Sequence, residues 1–204
     1  MWRAQCVRNV KIQEGAVVAD LMAGSGECWT YLQRRLKSKG KILSVDISQV
    51  MCERQRRRMR GSESQVEVRC ENALSMSLPD SSVDFVISAF GLKTFSPAQL
   101  HNLASEMFRI LRPGGSCSLI EISVPRPPLL QNVYRFYIGS VIPLIGKIFL
   151  GDIDCYKMLG IYTGAFGSCF KFKEFFKNAG FEVVAKKHFF GCATSLILTK
   201  PLNH

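Results

Sequence analysis

The sequence predicts an α/β fold: a doubly wound, mostly parallel sheet of seven strands with an antiparallel C-terminal strand. Three observations predict it. Apolar runs ending in a carboxylate or a glycine turn alternate with helical patterns from residue 17 to residue 123. The connections between them are short. Two strand-like runs, 181–186 and 194–199, follow a last helical pattern and read as a closing antiparallel pair. A length of 204 residues suits one domain, and 47% hydrophobic against 21% charged residues excludes a disordered chain or a disulfide-stapled miniprotein.

Val17-Val18-Ala19-Asp20-Leu21 is a short apolar run that passes at once into Gly24-Ser25-Gly26, so it reads as a buried strand entering a tight turn. Residues 27–37 form a helix with Trp29, Leu32 and Leu36 along one face, closed by Lys39-Gly40. Residues 41–45 make a second strand ending at Asp46, and Ser48 caps a basic helix that runs to Gly61. Residues 66–70 and 83–89 are the third and fourth strands. Ser96-Pro97 opens a helix with proline at its favoured first position, and Arg112-Pro113-Gly114-Gly115 ends it. Residues 116–123 are the fifth strand. After Pro125 the alternation stops. Residues 126–166 read as one insert on the substrate side, and order returns with a helix over 173–179.

The charge balance is one-sided: 27 Lys and Arg against 16 Asp and Glu, a formal +11. On composition alone this favours an anionic partner, with nucleic acid first. Eight cysteines lack the close pairing of a zinc knuckle or a redox pair, so no metal site is expected. They read as reduced thiols, and Cys70, Cys117 and Cys192 read as small hydrophobes in strands. No stretch has the form of a signal peptide or a spanning helix, which places the chain in the cytoplasm.

Open α/β sheets bind ligands beyond the carboxyl ends of their strands. Two features meet there. Gly24 and Gly26 allow a ligand close to the backbone, and Asp46, 22 residues beyond Gly24, is placed for ribose hydroxyls. A dinucleotide site usually carries a third glycine where Trp29 stands, and no Gly-Lys-Ser/Thr follows the first strand, which disfavours NAD and ATP. Asp20 and Glu27 flank the turn. Carboxylates there repel phosphates and suit an ammonium or sulfonium centre.

These residues resemble a class I S-adenosylmethionine-dependent methyltransferase. Residues 20–27 (DLMAGSGE) are similar to its first motif, Asp46-Ile47-Ser48 to its ribose-binding acid, and Leu111 to Gly115 to the loop before its fifth strand. Within that superfamily the chain resembles the ubiquinone/menaquinone C-methyltransferases. The segments 90–95 (FGLKTF), 119–125 (LIEISVP) and 134–159 carry this likeness, with Ala179-Gly180-Phe181 and 190–193 (FGCA). Three departures stand out. Relatives have a few dozen residues before the Trp-Arg pair found here at 2–3, so the helix that covers the donor is expected to be missing. Glu71-Asn72-Ala73 replaces Gly-Asp-Ala, and Lys93 replaces an arginine and its bidentate fork.

The resemblance implies a Rossmann-like fold and S-adenosyl-L-methionine as methyl donor, with S-adenosyl-L-homocysteine as product. Gly24 and Gly26 would admit its methionine portion, Asp20 would take its ammonium and Asp46 its ribose diol. Ile47 and Met51 would sandwich adenine, Asn72 and Ala73 would meet its edge, and Met22, Ala23 and Ala89 complete the donor set. The acceptor is expected to be a small lipophilic molecule, a prenylated quinol first. Lys93 would favour an ionised phenol; Tyr134, Tyr137 and Tyr156 would orient the ring or relay a proton, or else pack the insert; Asp152 would cap a turn, with removal of a ring proton as the alternative. His188 is a further candidate to approach the pocket, and His101 is read as surface. The apolar part of the insert would be a lid for a prenyl tail.

Two other readings stay open: a nucleic-acid methyltransferase, suggested by Arg54, Arg56, Arg57, Arg58 and Arg60, and a non-catalytic donor-binding protein. Against the former, Ser88-Ala89-Phe90-Gly91 stands where amino-methylating nucleic-acid enzymes carry Asn-Pro-Pro-Tyr. The arginine helix is expected to be solvated. Lys171, Lys173, Lys177, Lys186 and Lys187 would form a basic rim that docks on an anionic membrane surface, each contributing about 1 kcal/mol. Oligomeric state is open, a homodimer included.

Overall fold

A computed structural model describes residues 1–59, 65–125 and 166–202. The elements are α1 (Trp2–Arg8), β1 (Val17–Leu21), α2 (Trp29–Leu36), β2 (Lys41–Asp46), α3 (Gln49–Arg58), β3 (Gln65–Cys70), β4 (Val83–Ala89), α4 (Pro97–Ile110), β5 (Leu111–Ile122), α5 (Lys173–Asn178), β6 (Glu182–His188) and β7 (Ala193–Thr199). The strands form one seven-stranded sheet in the order β3-β2-β1-β4-β5-β7-β6. Strand β7 runs antiparallel to both β5 and β6, while the other pairings are parallel. All strands but β7 therefore point their carboxyl ends to one edge. The chain winds outward from β1 to β3 and returns to β4 beside β1. That reversal opens a crevice between the ends of β1 and β4, the usual place for a ligand in such a sheet.

Each face of the sheet has its own core. On one, Trp29, Leu32 and Leu36 of α2 meet Val18, Ile42 and Ile87, with Cys6 and Val7 of α1. On the other, Leu100, Leu103, Met107 and Ile110 of α4 join Phe176 and Phe181 over Leu43, Val86 and Leu119. Helix α4 starts where the sequence places it, at Pro97, with Ser96 and Gln99 forming a reciprocal capping box. Helix α3 starts after Ser48, whose side chain accepts from the Met51 N–H, and ends at Arg58.

Four expectations need correction. Residues 111–115, read as the loop before the fifth strand, open β5, where Leu111 pairs with Val83 ahead of a register shift. Cys192, read as part of a strand, stands just before β7. Residues 2–8 form a helix where the sequence reading has none. The run WRAQCVR has no side-chain cap at its start and turns only Cys6 and Val7 fully inward. Tertiary contacts decide it: the Cys6 thiol donates to Ser88 O at 3.4 Å and Ser118 O at 3.2 Å, across the ends of β4 and β5. Cys70 is exposed rather than packed, because β3 is the edge strand. The insert at 126–166 lies almost wholly outside the described residues, with only Phe166 among them, buried in the α4–α5 core. Among the described residues no helix is long and apolar enough to cross a membrane.

Lys200, just past β7, is buried with its ammonium on the carbonyls of Phe108 and Leu111, both at 2.8 Å, and above the Phe108 ring at 4.5 Å. It ties the end of α4 to the far side of the sheet. Lys200→Met keeps the apolar stem and removes the donors. Urea unfolding should show a loss of about 2 kcal/mol, with ligand binding at the opposite edge unchanged.

Candidate active site

The glycine turn after β1 is held from two sides. One carboxylate oxygen of Asp46 accepts from the Gly24 N–H at 2.8 Å, and the other accepts from the Ser48 N–H at 2.9 Å. Helix α3 supports the turn from beneath: Gln55 Nε2 donates to Gly24 O at 2.6 Å, and Arg58 reaches Ser25 O at 3.4 Å. Gln55 is fully buried. Gly26 has φ +80°, and a Cβ there would lie 2.6 Å from the Trp29 ring. The indole therefore fills the space beneath the turn, and the absent third glycine is replaced by an aromatic that forbids any side chain at Gly26.

The opposite wall comes from the end of β4. Phe90 adopts φ +73°, a strained conformation for a bulky residue. Its N–H donates to Ile120 O at 2.9 Å, and Lys93 Nζ donates to its carbonyl at 2.5 Å. The same ammonium is 3.1 Å from Glu121 Oε1, while the Lys93 N–H donates to Oε2 at 3.1 Å. Burial pushes the Glu121 carboxyl up, and Lys93 with the neighbouring backbone N–H groups pulls it back. Gly91 sits against the Met22 side chain, which a Cβ would meet at 2.6 Å. The ends of β1 and β4 thus lock together.

Between these walls lies a cleft of about 380 Å³. Met22, Asp46, Ile47, Asn72 and Ala73, all expected site residues, line it, joined by Glu71, Leu74, Phe90, Gly91, Thr94, Phe95 and Gln99. Asn72 Oδ1 accepts from the Leu74 N–H at 3.0 Å, which fixes the loop, and among the described residues the amide N–H₂ has no acceptor. Asp20 lies beneath the turn, almost fully buried, with Oδ2 lacking a hydrogen-bond partner. Burial pushes its carboxyl well above the usual range; Glu27 and Asp46 add to that, and Arg3 opposes it.

Ala23, Gly24 and Gly26 form the turn itself, Ala89 ends β4, and Met51 is half-buried in the first turn of α3. None of these five lines the cleft wall, and neither does Lys93, whose side chain is 9% exposed and whose charge is met by Glu121. Tyr134, Tyr137, Tyr156 and Asp152 lie outside the described residues. His188 Nε2 is 2.8 Å from Ser195 Oγ, with its ring 6.0 Å from that of Trp2. His101 is exposed on α4.

Gln55 and Glu121 are functional supports that motif spacing passes over. Each carried a signal. Gln55 shares the inward helical face of Cys52, three residues earlier, and Glu121 is a carboxylate inside an apolar strand run.

The site fits the donor that the sequence suggests. It has a strand-end carboxylate for a diol, an exposed apolar residue (Ile47) beside Asn72 and Ala73 for a base, and a buried carboxyl whose Oδ2 has no hydrogen-bond partner among the described residues. Comparison with known proteins agrees. The model of the ubiE/COQ5 methyltransferase family matches residues 1–200. A demethylmenaquinone methyltransferase of Lactiplantibacillus plantarum is 30% identical over 202 residues, 98% of this chain and 84% of that protein. One from Lactococcus lactis is 30% identical over 203 residues, 98% of this chain and 79% of that protein. A SAM-dependent methyltransferase from Aquifex aeolicus shares the fold, with a TM-score of 0.69 at 18% identity over 97% of this chain and 88% of that one.

Two outcomes are expected. Asp46→Ala leaves the Gly24 and Ser48 N–H groups without their acceptor, and calorimetry should show S-adenosylmethionine affinity falling by about a hundredfold or more. Donor binding should release a proton from Asp20 to the solvent. Its raised pKa keeps it neutral in the free protein well above the usual carboxylate range, and the donor's cationic end lowers that pKa. Between the bound-state and the free-state pKa, binding therefore releases a proton and affinity rises with pH; outside that window it does not. Calorimetry in buffers of different ionisation enthalpy measures the release, and Asp20→Asn should abolish it.

Proposed function

The chain belongs to the ubiE/COQ5 methyltransferase family, and from that premise we propose that it transfers a methyl group from S-adenosylmethionine to a ring carbon of a prenylated hydroquinone of the demethylmenaquinone type. The observation that carries the acceptor class is the cleft itself. Its lining combines the polar Asp46 and Asn72 with the apolar and aromatic Leu74, Phe90 and Phe95. The named relatives, which are demethylmenaquinone methyltransferases, support the same acceptor.

The bound donor supplies a methyl group already activated on a sulfonium centre. The protein's share is alignment and exclusion of water. Asp46 fixes the glycine turn and offers its remaining lone pairs to the ribose. Phe90 and Gly91, clamped by Lys93 and Glu121, set the wall against which a flat ring can lie. Lys93 acts here as a positioning residue. Its ammonium is spent on the Phe90 carbonyl and Glu121, which holds Phe90 in its strained conformation. The thiols near the turn are no rival nucleophiles, since burial pushes Cys6 up to about 12 and raises Cys28 further.

The acceptor is collected from an anionic membrane surface in this reading. Phe189 and Phe190, 65% and 75% exposed, form the β6–β7 turn at the same sheet edge as the cleft. Lys171, Lys186 and Lys187 are exposed close by, with Lys187 Nζ 5.6 Å from the Phe170 ring. Apolar tips flanked by cations suit an anionic interface. Arg54, Arg56, Arg57 and Arg58 of α3 are exposed and none of them lines the cleft, while Arg60 lies outside the described residues.

One assay tests both parts. Label from S-adenosylmethionine should enter a hydroquinone presented in lipid vesicles and not RNA, at a rate that rises with the anionic lipid fraction and falls with salt. Labelling of RNA would overturn the acceptor class, and a rate blind to lipid charge and salt would overturn the docking surface.

A further inference from the structure

The eight cysteines form no close pair in sequence, but the fold brings two of them together. Cys70 ends β3, in register with Asp46 at the end of β2, and Cys52 lies in the first turn of α3. Their sulfurs converge on one short segment of backbone. Cys52 Sγ donates to Asp46 O at 3.3 Å and lies 4.0 Å from Arg69 O, while Cys70 Sγ lies 3.9 Å from Ile47 O. The two thiols thus approach the carbonyls of consecutive residues, and they are close enough to act on each other.

Their surroundings differ. Cys52 is fully buried. Burial first, and then Cys70, pushes its thiol up to about 12, so it keeps its proton at neutral pH. Cys70 stands on the edge strand and is, among the described residues, the one exposed cysteine. An oxidant in solution therefore meets Cys70 first, with a second thiol beside it to resolve the product.

The pair also sits behind two parts of the donor cleft. Asp46 and Ile47 line it from the end of β2, and Glu71, Asn72 and Ala73, which follow Cys70 directly, line it from the end of β3. Neither cysteine lines the cleft itself. A covalent S–S bond is shorter than the contact of two free thiols. Closing it draws Cys70 toward α3 and shifts residues 71–73 relative to Ile47.

We propose that Cys52 and Cys70 form a reversible disulfide that weakens donor binding when a peroxide is present. The proposal rests on S-adenosylmethionine being the donor. Hydrogen peroxide transfers one oxygen to the Cys70 sulfur, giving a sulfenic acid and water. The Cys52 sulfur then attacks the Cys70 sulfur. The S–O bond breaks, and the hydroxyl leaves with the Cys52 proton as a second water. A dithiol reverses the bond by exchange and is itself oxidised.

Peptide mapping after peroxide and alkylation should show a peptide joined through Cys52 and Cys70, which dithiothreitol removes. Calorimetry should show affinity for S-adenosylhomocysteine about tenfold lower in the oxidised protein and restored by dithiothreitol. Cys70→Ser, a change at an exposed edge position, should bind alike before and after peroxide. Absence of the joined peptide, or a link from Cys70 to another cysteine, would overturn the pairing. A joined peptide with unchanged affinity would overturn its effect on the donor. So would a loss that Cys70→Ser shares or that dithiothreitol leaves in place, which would make methionine oxidation the cause. A reduced parent protein that does not bind S-adenosylhomocysteine would overturn the donor assignment, and the peptide map would still decide the disulfide.

Discussion

The site depends first on one carboxylate. Asp46 stands at the end of β2, and its two oxygens accept backbone N–H groups from two other segments, the glycine turn after β1 and the start of α3. Gly24 N–H and Ser48 N–H are donors that β pairing leaves over, so both would be orphaned without it. Helix α3, once started, returns Gln55 and Arg58 to the same turn. The residue proposed to hold the ribose is also the one that ties the glycine turn to the start of α3. Each bond to a carboxylate is charge-assisted and stronger than a neutral one, so two of them outweigh the conformational entropy of a turn with two left-handed glycines.

The facing wall is built on a more costly device. Lys93 and Glu121 are withdrawn from water as a pair, and desolvation takes back most of what their attraction provides. The pair's value lies in what it holds. Lys93 grips the Phe90 carbonyl, while Glu121 takes the N–H of Lys93 and that of Ile122. Phe90 is thereby kept in a left-handed conformation that a bulky side chain avoids. Its ring then serves two hollows at once, the donor cleft and a second one beside Arg3. Strain at Phe90 and a buried ion pair behind it describe one arrangement.

What could be read in the chain was whatever is encoded locally. The first strand and its glycine turn, the Ser48 and Ser96 caps, the proline opening α4 and the acid at the end of β2 depend on neighbours a few residues away, and the structure places them as read. The partners of those residues were harder to see. Gln55 lies among arginines and is turned inward by helical phase; Glu121 finds its lysine 28 positions earlier in the chain; Cys6 finds Ser118 112 positions later. Helix α1 has no local signal beyond its composition, and its position follows from Cys6 and Val7 packing on strands that form from distant sequence. Cys70 misled because an alternating strand reads the same in sequence at a sheet edge as at the centre.

The most direct test of Asp46 as both builder and binder is a crystal structure of the protein with S-adenosylhomocysteine. It should show both ribose hydroxyls within hydrogen-bond distance of the Asp46 carboxylate while the Gly24 and Ser48 N–H groups remain on its two oxygens, with adenine against Ile47 and Asn72. A ribose held by other residues, or an Asp46 that releases the glycine turn to reach it, would contradict the account.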